Sequence, residues 1–313
     1  MILSASYRTD IPAFHGAWFA QRLAAGFAVV ANPYGGRPSR IDLTPRSGPQ
    51  AKEGAVDGYV FWTRNAKPFL PVLDQLAGQG VPFVVQYTVL GYPSALDGST
   101  PSADHAIAVI QELSNRYGRD SVVWRYDPVV FSQVTPAETH RQSVAQLARA
   151  LKGAVNEVVF SVLQPYCKTT RNLAKTGIPW WDPEPKEKTA LIAELGQLAA
   201  QEGDLTPSLC AQPDLLPPDF RDAACIDAER LSRVAGQLIP ARRDPHRKTC
   251  RCAQSRDLGA YDSCAHGCVY CYANASPAAG QRGVAKATAD TESLLPLPKK
   301  APAKAAVHQG TLL

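Results

Sequence analysis

The sequence predicts an α/β fold that is TIM-barrel-like, a partial or complete βα barrel, with a cysteine-rich iron–sulfur segment near its carboxyl end. Short runs rich in β-branched and aromatic residues alternate with longer amphipathic segments, which is typical of βα units around a parallel sheet. The 313 residues suffice for one barrel-sized domain. Five of the eight cysteines fall between Cys250 and Cys271.

Seven strands and five helices are predicted along the first 210 residues. The strands are Ile2–Ser6, Phe27–Ala31, Tyr59–Trp62, Phe83–Tyr87, Val122–Tyr126, Glu157–Ser161 and Leu205–Cys210. The helices are Gly16–Ala25, Pro68–Ala77, Asp104–Tyr117, Ala137–Leu151 and Lys186–Glu202, with Asp104 or Ser102 as the N-cap of the third. No G-x-G-x-x-G turn follows the first strand and no G-x-x-x-x-G-K-[ST] occurs, so dinucleotide and P-loop folds lack their defining turn.

Changes in composition divide the chain into three parts. Residues 1–235 form the barrel-like domain, and residues 236–274 form the cysteine-rich segment, entered through a basic linker. Residues 275–313 are rich in Ala, Pro, Lys and Gly, and are predicted to be a disordered tail.

Charge and hydropathy narrow the choice of partners. Of the net charge of +5, +3 comes from residues 275–313, so the body is only mildly basic and gives weak support for a nucleic-acid surface. No signal peptide and no apolar stretch of about 18 residues occur. We therefore expect a cytoplasmic protein with no membrane partner, whose cysteines are reduced thiols or metal ligands.

The strongest chemical signal is the run Cys264-x3-Cys268-x2-Cys271. Three closely spaced thiolates in a tight loop can bind three irons of a 4Fe-4S cluster and leave the fourth iron open. An open iron can chelate S-adenosylmethionine (SAM), and reduction then cleaves SAM to a 5′-deoxyadenosyl radical. Gly267 lets the loop bend, and Tyr270 can cover the cluster or pack near the adenine. Inert buried thiols and a zinc knuckle are the alternatives, although the usual zinc pair spacing occurs only at Cys268 and Cys271.

This run, with an aromatic residue before its last cysteine, resembles the radical SAM motif. The chain from Ser4 to about Asn274 also resembles a bacterial family, the domain of unknown function 1848. The residues that carry this second resemblance are Ser4–Phe14, Asn32–Tyr34, Phe61–Asn65, Trp124–Pro128 and the cysteine-rich block. In typical radical SAM enzymes the cysteine loop follows the first strand, whereas here it follows the last, as in thiamine pyrimidine synthase enzymes. Spore photoproduct lyase is an analogue, which leaves the substrate open.

Four other cysteines suggest a second metal site. Cys210, Cys225, Cys250 and Cys252 could hold an auxiliary iron–sulfur cluster or a structural zinc; ordinary core cysteines are the alternative. Cys167 stays unassigned.

Polar residues follow the predicted strands, where the active sites of barrels lie. We expect them to bind SAM and a polar substrate, or to form ion pairs that order the loops. The candidate cofactor-binding residues are Arg8, Asp10, Asn32, Thr63, Asn65, Gln86, Thr88, Arg125, Asp127 and Tyr270, with Tyr34, Arg64, Ser161 and Gln164 nearby. His266 is expected to pack the loop rather than to bind metal.

These features favour a radical SAM enzyme of unknown substrate, reduced by flavodoxin or ferredoxin. Two other functions are left open by the sequence. One is an iron–sulfur protein for electron transfer or sensing that does not cleave SAM. The other is a zinc-stabilised nucleic-acid-binding protein, to which the basic run Arg242–Lys248 would contribute.

Overall fold

A computed structural model describes residues 1–33, 35–46, 54–244 and 249–297. Its strands are β1 (Ile2–Ala5), β2 (Phe27–Val30), β3 (Ser39–Asp42), β4 (Gly58–Thr63), β5 (Phe83–Thr88), β6 (Val122–Val129), β7 (Glu157–Val162), β8 (Thr206–Leu209), β9 (Arg221–Asp222) and β10 (Ser255–Asp257). Its α-helices are α1 (Ile11–Phe14), α2 (Gly16–Ala25), α3 (Leu70–Gly78), α4 (Ser94–Asp97), α5 (Ala103–Tyr117), α6 (Ala137–Leu151), α7 (Cys167–Ala174), α8 (Pro185–Gly203), α9 (Ala228–Ala235) and α10 (Pro277–Lys286).

Eight of the strands form one parallel sheet, in the order β10-β1-β4-β5-β6-β7-β8-β9. Apart from β10, which pairs with β1, the strands follow each other in the sheet as they do in the chain. No ladder between β9 and β10 occurs among the described residues. The predicted α/β class with a parallel sheet is thus confirmed, whereas these pairings do not establish a closed barrel.

The two faces of this sheet are covered differently. The residues Leu3, Tyr59, Phe61, Val85 and Trp124 point to one face and belong to the larger apolar core. Strand residues alternate between faces, so the residues beside them point to the other side. There Ile2, Val60, Val84, Val123 and Val159 pack against residues of the segments 211–239 and 250–253, including three cysteines.

The prediction that the second strand belongs to the parallel sheet is wrong. The segment Phe27–Val30 is a strand, but it pairs antiparallel with β3 in a separate two-stranded sheet. A short local connection makes this antiparallel partner available at low entropic cost, and an apolar run does not reveal which sheet it will join.

The prediction of a disordered tail is also wrong for the residues that form α10. Ser276 accepts a hydrogen bond from the backbone N of Ala279 (3.2 Å) and caps this helix, and Pro277 occupies its first turn. Gly280 and Gly283 are buried in it. Small residues bury little apolar surface, yet here they let the helix backbone closely approach the backbone at Asp262 and Cys264. Residues 298–313 lie outside the described parts of the chain.

The five predicted helices are present, and Ser102 rather than Asp104 is the N-cap of α5. Within the described residues, no helix combines the length and the hydropathy that crossing a membrane requires.

Candidate functional site

The chain that follows β10 crosses the carboxyl end of the sheet. We call residues 258–274 the cysteine loop, since they include Cys264, Cys268 and Cys271. Its backbone begins beside β1, where the N of Leu258 donates to the O of Ser4 (2.9 Å). Further along, the hydroxyl of Thr9 donates to the O of Ser263 (2.9 Å). Because active sites of parallel α/β sheets lie at this edge, the loop occupies the position expected of a functional element.

The other side of the cysteine loop rests on the segment after α4. The N of Ser99 donates to the O of His266 (2.6 Å), and the N of Val269 donates to the O of Leu96 (3.0 Å). A Cβ at Gly98 would lie 2.4 Å from the O of His266, and the φ of Gly98 is +62°. Only glycine meets both conditions, so the two segments are closely packed here.

Each of the three loop thiols has a hydrogen-bond donor. The sulfur of Cys268 accepts from the guanidinium Nη1 of Arg64 (3.2 Å), and that of Cys271 accepts from the N of Ala273 (3.3 Å). The sulfur of Cys264 is hydrogen bonded to the backbone of His266. Charge on Cys271 or Cys268 raises the pKa of Cys264, so the three sulfurs lie within electrostatic reach of one another.

Burial is the largest influence on these thiols. It raises the pKa of Cys264 and Cys271, and it raises that of Cys268 to about 11 against the opposing effect of Arg64. Desolvation disfavours the thiolate, whereas a cation bound by the sulfurs would favour it.

The guanidinium of Arg64 joins the cysteine loop to the β5–α5 connection. Its two terminal nitrogens bind the carboxylate of Asp97 at 2.7 and 3.0 Å, a bidentate pair. Its Nη1 also lies 2.5 Å from the hydroxyl of Tyr270, which donates to Asp97. Arg64, Asp97, Tyr270 and Cys268 therefore form one network, in which Asp97 and Tyr270 are buried and Arg64 and Cys268 are partly buried.

The carboxylate of Asp10 connects three segments. It caps α1 through the N of Ala13 (2.9 Å), accepts from the N of Arg64 (2.8 Å) and contacts Nε2 of His266 at 2.8 Å. His266 is 4% exposed, and its Nδ1 has no hydrogen-bond partner. The contact with Asp10 is the packing role expected for His266.

Arg8 is likewise held inside the protein. Its Nε donates to the carboxylate of Asp257 at 2.8 Å, and both side chains are buried. The hydroxyls of Ser4 and Ser6 donate to the same carboxylate at 2.8 Å. This ion pair ties the end of β1 to β10, which corresponds to the loop-ordering role rather than to an available carboxylate binder.

The four remaining candidate cysteines come together on the face of the sheet opposite the larger apolar core. The sulfurs of Cys210 and Cys225 are 3.1 Å apart, and those of Cys250 and Cys252 are 3.0 Å apart. A hydrogen bond between Cys225 and Cys252 joins the two pairs. We call these residues the four-cysteine cluster. The structure brings these four residues together, although 42 positions separate the first from the last.

Two polar residues of neighbouring strands adjoin the four-cysteine cluster. Nη1 of Arg125 lies 3.1 Å from the sulfur of Cys225 and 3.2 Å from Oε1 of Gln86, whose Nε2 donates to the O of Cys225 (2.9 Å). Arg125 also pairs with Asp127 at 2.5 Å. Hydrogen bonds from Cys210 and Cys252, and then the Arg125 charge, lower the pKa of Cys225.

The other predicted residues are scattered. Asn32 is exposed in the β2–β3 connection and does not follow a strand of the parallel sheet, so its expected place is wrong because β2 belongs to the other sheet. The hydroxyl of Thr63 accepts from the N of Asn65 (2.9 Å), a local turn. Ser161 donates to Asp127. Tyr34 and residues 245–248 of the basic run lie outside the described residues.

Two residues of the site were not among the candidates: Asp97 and Asp257. Asp97 ends a four-residue helix and carries no local signal, since its partner Arg64 lies 33 positions away. Asp257 is the last residue of β10, a strand too short to be read from the sequence.

A cavity of about 340 Å³ borders the network around Arg64 and Asp97. Arg64, Thr88 and Asp97 contribute to its lining, with the N-terminal residues of α5. A larger cavity, of about 540 Å³, lies along α9 and contains none of the predicted residues.

No group of three or more His, Cys, Asp or Glu side chains in the described ranges has the arrangement that holds a metal ion. In the four-cysteine cluster the neighbouring sulfurs touch at 3.0 and 3.1 Å. Tetrahedral bonds of about 2.3 Å to one zinc ion would set them about 3.8 Å apart.

The fold and the site define an α/β protein in which a cysteine loop and a four-cysteine cluster adjoin a parallel sheet. The chain belongs to the family named domain of unknown function (DUF1848), which matches residues 2–273. The match ends before α10. Neither a curated protein nor a solved structure matches the chain with significance.

Proposed function

We propose that this protein is an iron–sulfur enzyme of the radical SAM type, built on a partial βα barrel. In this proposal Cys264, Cys268 and Cys271 bind a 4Fe-4S cluster. The observation that carries it is the position of these thiols on one loop across the carboxyl end of the sheet, each with an N–H donor at its sulfur.

The donor set fits such a cluster. A cubane needs thiolates on separate irons, and three cysteines on one short loop leave a fourth metal corner for SAM. Hydrogen bonds to cluster sulfurs stabilise their negative charge and tune the reduction potential. Arg64 adds a full positive charge beside Cys268. We count these features as support, because inert thiols in an apolar core need neither.

The bound cluster would supply the electron that cleaves SAM to a 5′-deoxyadenosyl radical. The protein's own residues hold the loop in place for this reaction. Asp97 and Tyr270 fix the guanidinium of Arg64 against Cys268, and Asp10 fixes His266. Asp97 and Tyr270 are buried and the three loop thiols are partly buried, so this network limits the access of water to the sulfurs.

The structure changes which predicted residues we assign to SAM or substrate. Arg8 is paired with Asp257 and Arg125 with Asp127, and Asp10 is hydrogen bonded to His266; we therefore assign these residues to loop order. Thr88 lines the cavity beside Arg64 and is kept as a ligand contact. A flavodoxin or ferredoxin in a reducing cytoplasm would provide the electron, in keeping with eight cysteines that form no disulfide bond.

Anaerobic purification followed by reduction with dithionite in the presence of SAM tests this function. We expect about four irons per chain and formation of 5′-deoxyadenosine. Replacement of Cys264, Cys268 and Cys271 by Ala should remove both. Cys167→Ala is the matched control, since this thiol is exposed on α7 and should leave both unchanged.

Two results would contradict the proposal. Iron without 5′-deoxyadenosine would favour an electron-transfer or sensor protein. A triple variant that still cleaves SAM would show that the cluster is held elsewhere.

A further inference from the structure

We infer that the four-cysteine cluster is a second metal site, independent of the cysteine loop, that binds a single zinc ion through Cys210, Cys225, Cys250 and Cys252. The sulfurs form a continuous chain of contacts, with 3.1 Å between the first two and 3.0 Å between the last two. The hydrogen bond between Cys225 and Cys252 closes the chain between the pairs.

The geometry favours one ion over a cubane. Thiolates on separate irons of a cluster lie further apart than ligands of one ion, and these sulfurs already touch. The two touching pairs of sulfurs would have to separate by about 0.7 Å to reach the spacing of a tetrahedral zinc site, a smaller change than a cubane would require. Cys225, Cys250 and Cys252 are at most 8% exposed and pack among apolar side chains such as Val84 and Val123, so little room is left for four irons.

The groups around the four-cysteine cluster can stabilise the negative charge of a zinc–tetrathiolate site. Four thiolates around Zn²⁺ carry a net charge of −2, which needs compensation in an apolar interior. The buried guanidinium of Arg125 lies 3.1 Å from the sulfur of Cys225. Backbone donors are present as well, since the N of Ile226 lies 3.4 Å from the sulfur of Cys252. Such contacts resemble the outer shell of thiolate centres.

The location gives the site a structural purpose. Cys210 and Cys225 follow β8 and β9, whereas Cys250 and Cys252 precede β10, and these are the strands near the two edges of the sheet. The N of Ala253 donates to the O of Ile226 (2.9 Å) and joins these edges. A four-coordinate ion with no open position would fasten them together, which is the role of closed zinc sites.

Metal analysis of the full chain, purified without oxygen, tests this inference. We expect about one zinc per chain, with about four sulfur neighbours at about 2.3 Å in X-ray absorption at the zinc edge. The variant lacking Cys264, Cys268 and Cys271 should keep its zinc. Cys250→Ser with Cys252→Ser should lower the zinc content at least about tenfold, whereas Cys167→Ser should not.

Each remaining outcome overturns the inference. These outcomes are nitrogen or oxygen neighbours at the zinc, zinc that disappears with the loop cysteines, and a zinc-free protein with about eight irons. The absorption measurement uses the unaltered protein, so it decides the matter even if the serine variants do not fold. Failure of SAM cleavage with this zinc still present would refute only the proposed function.

Discussion

Replacing Gly283 with Ala should destabilise the protein, although alanine is the better helix former. A Cβ at Gly283 would lie 1.7 Å from the O and 2.8 Å from the C of Asp262, at the start of the cysteine-bearing part of the loop. These are backbone atoms, so they cannot rotate away as the end of a side chain can. Overpacking costs about 1–3 kcal/mol, and a contact of 1.7 Å with backbone belongs to the upper part of that range, about 2–3 kcal/mol. The propensity gain offsets about 1 kcal/mol of this cost.

We therefore expect Gly283→Ala to lower the free energy of unfolding in urea by about 1–2 kcal/mol. It should also speed amide exchange in the cysteine loop. Gly78→Ala is the matched control, because Gly78 lies in α3 with no atom within 4 Å of its added Cβ. That variant should be unchanged or up to about 1 kcal/mol more stable. If both substitutions shift stability alike, α10 does not pack on the loop as described.

Two further predictions concern buried polar groups. Burial lowers the pKa of His140 from 6.5 to about 4, against the opposing effect of hydrogen bonds to the backbone of Val130 and Thr135. The unfolded chain binds a proton at higher pH, so stability should fall by up to about 3 kcal/mol between pH 6.5 and 4 in urea titrations. His140→Gln should flatten this slope; an unchanged slope would contradict the assignment. Asp10→Asn can place an amide N–H donor opposite Nε2 of His266, so it should lower the free energy of unfolding in urea by about 2 kcal/mol. A loss below about 0.5 kcal/mol would show that the contact is dispensable.

The sequence predicted most of the parallel sheet because its strands have strong local signals. The apolar segment Val122–Tyr126 lies within β6, and the helix Ala137–Leu151 has its predicted bounds. β9 and β10 were missed, since two or three residues carry no periodicity. The helix α10 was missed for another reason. Alanine and glycine suggest little core, yet glycine is what close backbone contact requires.

The candidate site was predicted in part. Spacing alone grouped the loop cysteines, and counting thiols grouped the four-cysteine cluster. The expectation that polar residues follow the strands describes Arg8, which follows β1, whereas Arg125 lies within β6 and contacts Cys225. The same expectation could not tell that carboxylates would neutralise both guanidinium groups. That depends on partners such as Asp257, which lies 249 positions from Arg8. Contacts of this kind are set by tertiary structure and leave no local trace.

The docking of α10 couples the terminal helix to the motion of the cysteine loop. Gly98 meets the loop at His266, while Gly280 and Gly283 meet it at Cys264 and Asp262. Backbone packs directly on backbone at these contacts. Because no side chain lies between them that could change rotamer, a small displacement of the helix has to move the loop as well. Local opening of the terminal helix and exposure of the loop amides should then be one cooperative event, with a shared free energy, rather than two independent fluctuations.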